Sequence, residues 1–236
     1  MIPLRDDNPR RTFPFVNYTL VILNVLAFAW ELSLGPDLEP MMFARAFIPA
    51  RYWLPGNLVF DLYTIVFSMF LHGGLMHIGS NMLYLWIFGD NVEDRLGHVR
   101  YLLFYLLCGF LATFAHAMFS PGSRIPAIGA SGAIAGVLGA YLILYPHARV
   151  MTLIPIFFFV TVRELPAIII LGLWFVLQLF VGVGSLGVSS AQESGGVAYF
   201  AHIGGFVAGM ALIAVFGGFR RPKRREPPPP WWAQRR

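Results

Sequence analysis

Residues 129–145 read GASGAIAGVLGAYLILY, an uncharged run with a serine near its start and glycines recurring along it. A run of this length falls within the roughly 17–25 residues that cross a bilayer as a helix. At about 100° per residue, Gly132, Ala135, Gly136 and Gly139 lie within an arc of about 100°, with Ser131 at its margin. That face admits another backbone at close range, and a serine on its edge meets whatever the second backbone carries.

Comparable apolar runs recur on both sides. The chain has 236 residues, 57% hydrophobic and only 12% charged, against roughly a quarter charged in soluble domains. Lipid is the solvent such a composition fits. Six spans are expected near residues 14–34, 65–88, 100–119, 129–145, 164–184 and 198–218. The chain then divides into a basic tail (1–13), a membrane-embedded region (14–218) and a basic, Pro-rich tail (219–236). Asn17 and Asn24 interrupt the first apolar run and further spans follow it, so an uncleaved first helix is expected.

The net charge of +5 is concentrated at the two ends. Arg5, Arg10 and Arg11 precede the first span, and Arg220, Arg221, Lys223, Arg224, Arg225, Arg235 and Arg236 follow the last. This is the pattern of positive-inside anchoring, and it places both termini on the cytoplasmic side of a plasma (inner) membrane. No cations interleave with aromatics as in a phosphate-binding face, so no nucleic-acid partner is expected. The single cysteine, Cys108, reads as a small hydrophobe within a span.

The connections differ in character. Residues 35–64 hold Phe43, Phe47, Tyr52 and Trp53 among prolines and charges, which suits a segment lying on the membrane edge. Residues 150–162 (VMTLIPIFFFVTV) are apolar but short and broken by Pro155, and read as interfacial or re-entrant. Residues 184–196 are rich in Gly and Ser, as a mobile lid would be.

Polar side chains inside spans are costly, so those that remain are functional candidates. His77 and Asn81, in HGGLMHIGSN (72–81), are four apart and share a helix face. His202, in AHIGG (201–205), lies within about 60° of Gly205 and Gly209 on its own helix. Taken singly, each group reads as readily as polar glue or a packing seam. Together they allow two small-residue faces to close until Ser131 Oγ reaches a His202 nitrogen, the roughly 3 Å contact that general-base activation needs. Ser131 opens its helix, where backbone N–H groups lack helical partners and can stabilise an oxyanion, with Asn81 and His77 adding donors.

These residues resemble the rhomboid family of intramembrane serine proteases, a six-helix all-α bundle. GASG (129–132) is similar to its nucleophile motif, AHIGG (201–205) to its histidine motif and HGGLMHIGSN (72–81) to its second-helix motif, in the family's order across about residues 14–218. The resemblance implies Ser131 as nucleophile and His202 as base, with His77, Asn81 and Gly129 at the oxyanion. Gly132, Gly136, Gly205 and Gly209 would pack the helices at the site. His72 corresponds to a structural position, and Glu93, in GDNVEDRLG (89–97), would fix loop geometry. The chain departs from the family at Ala135, where many members place an aromatic residue that stacks on the histidine. It also has Arg51-Tyr52-Trp53 in place of a tryptophan-arginine pair in the first loop.

The activity implied is cleavage of single-pass or polytopic membrane proteins, with no cofactor and no metal. The substrate helix would enter sideways past the fifth span. A His-Glu-x-x-His zinc string is absent, and no aspartate lies inside the spans as drawn, which disfavours the other intramembrane protease chemistries. The rivals are a catalytically silent escort of the same fold and a transporter. An escort would need neither Ser131 nor His202, and a transporter would show internal repeats that are not seen.

Overall fold

The computed structural model describes residues 1–54, 58–156, 159–185 and 198–219. Its elements run β1 (Ile2–Asp6), α1 (Phe15–Ser33), α2 (Leu38–Arg45), α3 (Pro49–Tyr52), α4 (Leu58–Ser68), α5 (Leu75–Leu96) and α6 (His98–Phe119). They continue with α7 (Ser131–Leu144), β2 (Arg149–Ile156), β3 (Phe159–Pro166), α8 (Ala167–Gly184) and α9 (Tyr199–Val215). Residues 186–196 of the proposed lid, and the tail from 220 onward, lie outside the described residues.

Among the described residues three helices, α1, α6 and α8, are long and apolar enough to cross a bilayer. Helices α7 and α9 are equally apolar but shorter, about 21 Å and 25 Å at 1.5 Å per residue. Helix α5 is long but carries Asp90, Glu93, Asp94 and Arg95 in its last two turns.

The helix expected from residue 65 instead begins at Leu75. Residues 58–68 form the separate α4, and the chain turns through residues 69–74 before α5 starts. Gly73 and Gly74 lie at this break, where two glycines in succession weaken helical continuity.

A three-stranded antiparallel sheet, in the order β1-β2-β3, departs from the all-α expectation. Within the segment 150–162, read as interfacial or re-entrant, the described residues belong to the antiparallel strands β2 and β3, paired from Arg149↔Pro166 to Ile156↔Phe159. The density of Val, Ile, Thr and Phe in this segment is also that of a strand. Pro155 falls past the end of β1, where β2 has a neighbour on one side only. Open sheet edges do not survive in hydrocarbon, which puts this sheet at the membrane border.

Helix α7 is the centre of the bundle. Every residue from Gly132 to Tyr141 is buried, packed chiefly against α9, α6 and α5. The contact with α9 is backbone on backbone: a Cβ on Gly209 would stand 1.9 Å from the Gly136 carbonyl oxygen, and one on Gly205 would stand 2.0 Å from that of Gly132. Helix α8 is peripheral, with Ala167, Ile170, Leu171 and Gly182 its buried residues.

Polar groups tie α1 to this core. Pro14 precedes α1 and supplies no side-chain cap. Glu93 of α5 does so instead, accepting the N–H of Val16 at 2.9 Å and of Asn17 at 2.6 Å. His98 also contacts Glu93, at 2.5 Å. Asn17 donates to the Leu85 carbonyl and accepts from Tyr101. Glu31, buried at the other end of α1, accepts the His72 N–H at 3.1 Å. At the N-terminus, Asp6 accepts from the Tyr141 hydroxyl at the base of α7 and from Asn91 at 3.2 Å.

Two predictions follow from this packing. Gly209→Ala should destabilise the protein by about 3 kcal/mol, whereas Gly172→Ala, whose added methyl meets nothing within 4 Å, should be neutral. Equal thermal unfolding of the two variants would contradict the contact. Burial raises the Asp6 carboxyl from 3.8 to about 6. Such a group adds stability while protonated, fully so below its unfolded pKa, and loses it as pH rises through about 6. Between pH 5 and 7 the Tm of the wild type should therefore fall more than that of Asp6→Asn; parallel pH curves would contradict this.

Candidate active site

The loop leading into α7 is pinned before the serine is reached. Ala127 donates to the Phe47 carbonyl and Gly129 to the Ser68 carbonyl, both at 2.8 Å. Ser68 Oγ in turn accepts the Phe47 N–H at 2.7 Å. The first loop, with its short helices α2 and α3, thus serves as a buttress for residues 127–129. Gly129 has φ +119°, and a Cβ there would lie 2.7 Å from His77 Nε2. Both the left-handed backbone and the close approach demand glycine.

Ser131 is the first residue of α7, and His202 lies in the first turn of α9. The glycine contact between these helices sets Ser131 Oγ 2.8 Å from His202 Nε2. His202 is 9% exposed and Asn81 7%. Both line a cavity of about 1140 Å³ together with Ser131, His77, Trp174 and Tyr199. Residues of the first loop (Met42, Phe43) and of the α6–α7 connection (Ser120, Ser123) also line it.

His77 and Asn81 project from α5 toward the same point. His77 Nδ1 accepts the Gly73 N–H at 3.2 Å, so the neutral ring carries its proton on Nε2, which faces Gly129. Asn81 Nδ2 is buried and has no acceptor among the described residues. It sits 3.7 Å from the position of a Cβ on Gly129. Two side-chain nitrogens therefore flank Gly129 in the cavity that Ser131 also lines, and the first turn of α7, whose N–H groups have no partner within their own helix, begins two residues on. A developing negative charge is what such an arrangement stabilises.

The other candidate residues occupy the α7–α9 contact, the far end of α5 and the α4–α5 break. Gly132, Gly136, Gly205 and Gly209 form the α7–α9 contact. Glu93 lies at the opposite end of α5, capping α1, away from the cavity lining. His72 sits behind His77 with ring centroids 5.1 Å apart, and its Nδ1 pairs with the Phe70 carbonyl at 3.2 Å. Among the described residues no group of three His, Cys, Asp or Glu could hold a metal ion.

Two contacts to His202 come from α8, the expected fifth span, through side chains that no motif marked. Gln178 Oε1 on α8 lies 2.8 Å from His202 Nδ1. The Trp174 ring, one turn earlier, lies 5.8 Å from the imidazole with 36° between planes. Trp174 thus supplies the aromatic neighbour that Ala135 does not. The signal was present in α8, AIIILGLWFVLQLFVGVG, where Gln178 is the one amide in an otherwise apolar helix.

Comparison with known proteins agrees with this architecture. Residues 59–219 match the Rhomboid domain. The chain is 29% identical over 198 residues to Rhomboid protein 1, mitochondrial, of Saccharomyces cerevisiae, covering 82% of this chain and 51% of that protein. It is 36% identical over 147 residues to Rhomboid protease GluP of Bacillus subtilis, covering 62% and 24% respectively. With RHOMBOID-like protein 4 of Arabidopsis thaliana the identity is 34% over 142 residues, covering 60% and 31%. The matched region is thus about half or less of the length of each of these relatives. With a Rhomboid domain spanning most of its length and a bilayer as its environment, the chain belongs to the rhomboid family.

Proposed function

We propose that the protein is an intramembrane serine endopeptidase whose nucleophile is Ser131 and whose general base is His202. The observation that carries this reading is the 2.8 Å contact between Ser131 Oγ and His202 Nε2 inside a cavity. A hydroxyl and an imidazole at that distance form an activated nucleophile. The name of one relative, Rhomboid protease GluP, points the same way.

In this mechanism Ser131 Oγ attacks a substrate carbonyl carbon while its proton passes to His202 Nε2. The carbonyl oxygen becomes an oxyanion held by Asn81, His77 and first-turn N–H groups of α7, with Gly129 leaving room for it. His202 returns the proton to the departing amine, and water then hydrolyses the acyl-enzyme by the same route. The substrate is a transmembrane segment of another membrane protein, entering past the sparsely packed α8 and unwinding to expose the scissile bond.

The same reading has α1, α5, α6, α7, α8 and α9 crossing the bilayer, with both basic tails on one side. The short α7 would begin below the outer surface, which sinks Ser131 and gives the cavity its depth. Relatives named mitochondrial point to a different membrane from the plasma (inner) membrane that the tails suggested. Tail charge selects a side of a bilayer and does not select an organelle.

The test is cleavage of a model transmembrane substrate in liposomes. Ser131→Ala and His202→Ala should each lower kcat roughly 10⁴-fold or more while leaving thermal unfolding unchanged. Asn81→Ala should lower it about 10²-fold, with little change in KM. Wild-type rates in the Ser131→Ala protein would sink the assignment and favour a silent escort.

A further inference from the structure

Gln178 is out of place for its surroundings. Helix α8 is the most hydrophobic of the three long apolar helices, with a mean hydropathy of 2.4. Its neighbours Val176, Leu177 and Phe180 are 56%, 51% and 80% exposed on the face turned away from the bundle. An unpaired amide in lipid costs several kcal/mol, so a glutamine here must face inward and find a partner. The partner it finds is the His202 ring, at 2.8 Å.

The chemistry of this contact is directional. A base at Nε2 needs its lone pair there, facing Ser131 Oγ, and hence its proton on Nδ1. A carbonyl oxygen only accepts, so Gln178 Oε1 opposite Nδ1 selects that tautomer. The amide turned over would donate to Nδ1, leave the proton on Nε2 and disarm the base. Trp174, one turn away on the same face, packs against the ring and against Phe206 at 5.9 Å. The imidazole is therefore held in plane by Trp174 and fixed in tautomer by Gln178. The carboxylate that holds the histidine of a serine triad has no counterpart in a dyad, and Ala135 offers no ring to stack on it.

We propose that Gln178 is the positioning residue of His202, its amide oxygen accepting the Nδ1 proton so that Nε2 faces Ser131 as a base. This rests on the protease reading above, and the experiment separates the two. In liposomes, Gln178→Leu should lower kcat about tenfold to a hundredfold at unchanged KM. It should slow fluorophosphonate labelling of Ser131 by the same factor, since the probe needs the activated serine and no transmembrane substrate. Gln178→Glu, an acceptor with either oxygen, should recover both rates at neutral pH. In ¹⁵N spectra of histidine-labelled protein, with His202 assigned by its loss in His202→Ala, Nδ1 should carry the proton in the wild type, and the tautomers should mix in Gln178→Leu. A Gln178→Leu protein that cleaves and labels normally, or a Gln178→Glu protein no better than Gln178→Leu, would overturn the proposal. A wild type that neither cleaves nor labels removes the protease reading. The ¹⁵N spectra then decide for Gln178: a shift between tautomers in Gln178→Leu supports its role, and identical spectra overturn it.

Discussion

Everything at the centre of this molecule depends on two helix backbones touching without side chains between them. Gly209 of α9 rests on the carbonyl of Gly136, and Gly205 rests on that of Gly132. In lipid there is little hydrophobic force to press helices together, so close packing and polar contacts must hold them. The glycines supply the packing, and they also set the distance at which a serine on one helix meets a histidine on the other. Helix α7 is buried along almost its whole length because α5, α6 and α9 enclose it.

The second constraint is that polar groups in an apolar medium must find each other. Glu93 satisfies the start of α1, Asn17 bridges α1 to α5 and α6, and Glu31 receives the N–H of His72 at the α4–α5 break. His202 follows the same rule with two partners, Ser131 on one nitrogen and Gln178 on the other. Five buried polar atoms have no partner among the described residues, and one of them, Asn81 Nδ2, lies in the cavity that Ser131 lines. In the proposed mechanism the substrate's oxyanion completes it.

Much of this was legible in the sequence because the signals were local and strong. The glycine seam of residues 132–139 and that of 205–209 announced a close helix pair, and polar residues in apolar runs announced what the pair would carry. Other features escaped for physical reasons. The α4–α5 break is invisible to hydropathy, since residues 65–71 are as apolar as the helix after them. The strand pairing of residues 149–156 with 159–166 escaped because β-branched and aromatic residues serve strands and interfacial segments equally, and the pairing with residues 2–6 is a contact across nearly 150 positions. Glu31 was hidden at the end of the first apolar run. Gln178 belongs to no short motif and its partner lies 24 residues along the chain, so only its isolation in a helix as apolar as α8 marked it.

The most direct test of the account is the chemistry of one hydroxyl. Wild-type protein in detergent or liposomes is treated with a fluorophosphonate and the adduct located by peptide mass spectrometry. The account predicts a single adduct on Ser131, lost in His202→Ala and weakened when Gly209→Ala forces α7 and α9 apart. An unlabelled Ser131 in folded wild type, or labelling that persists without His202, would contradict it.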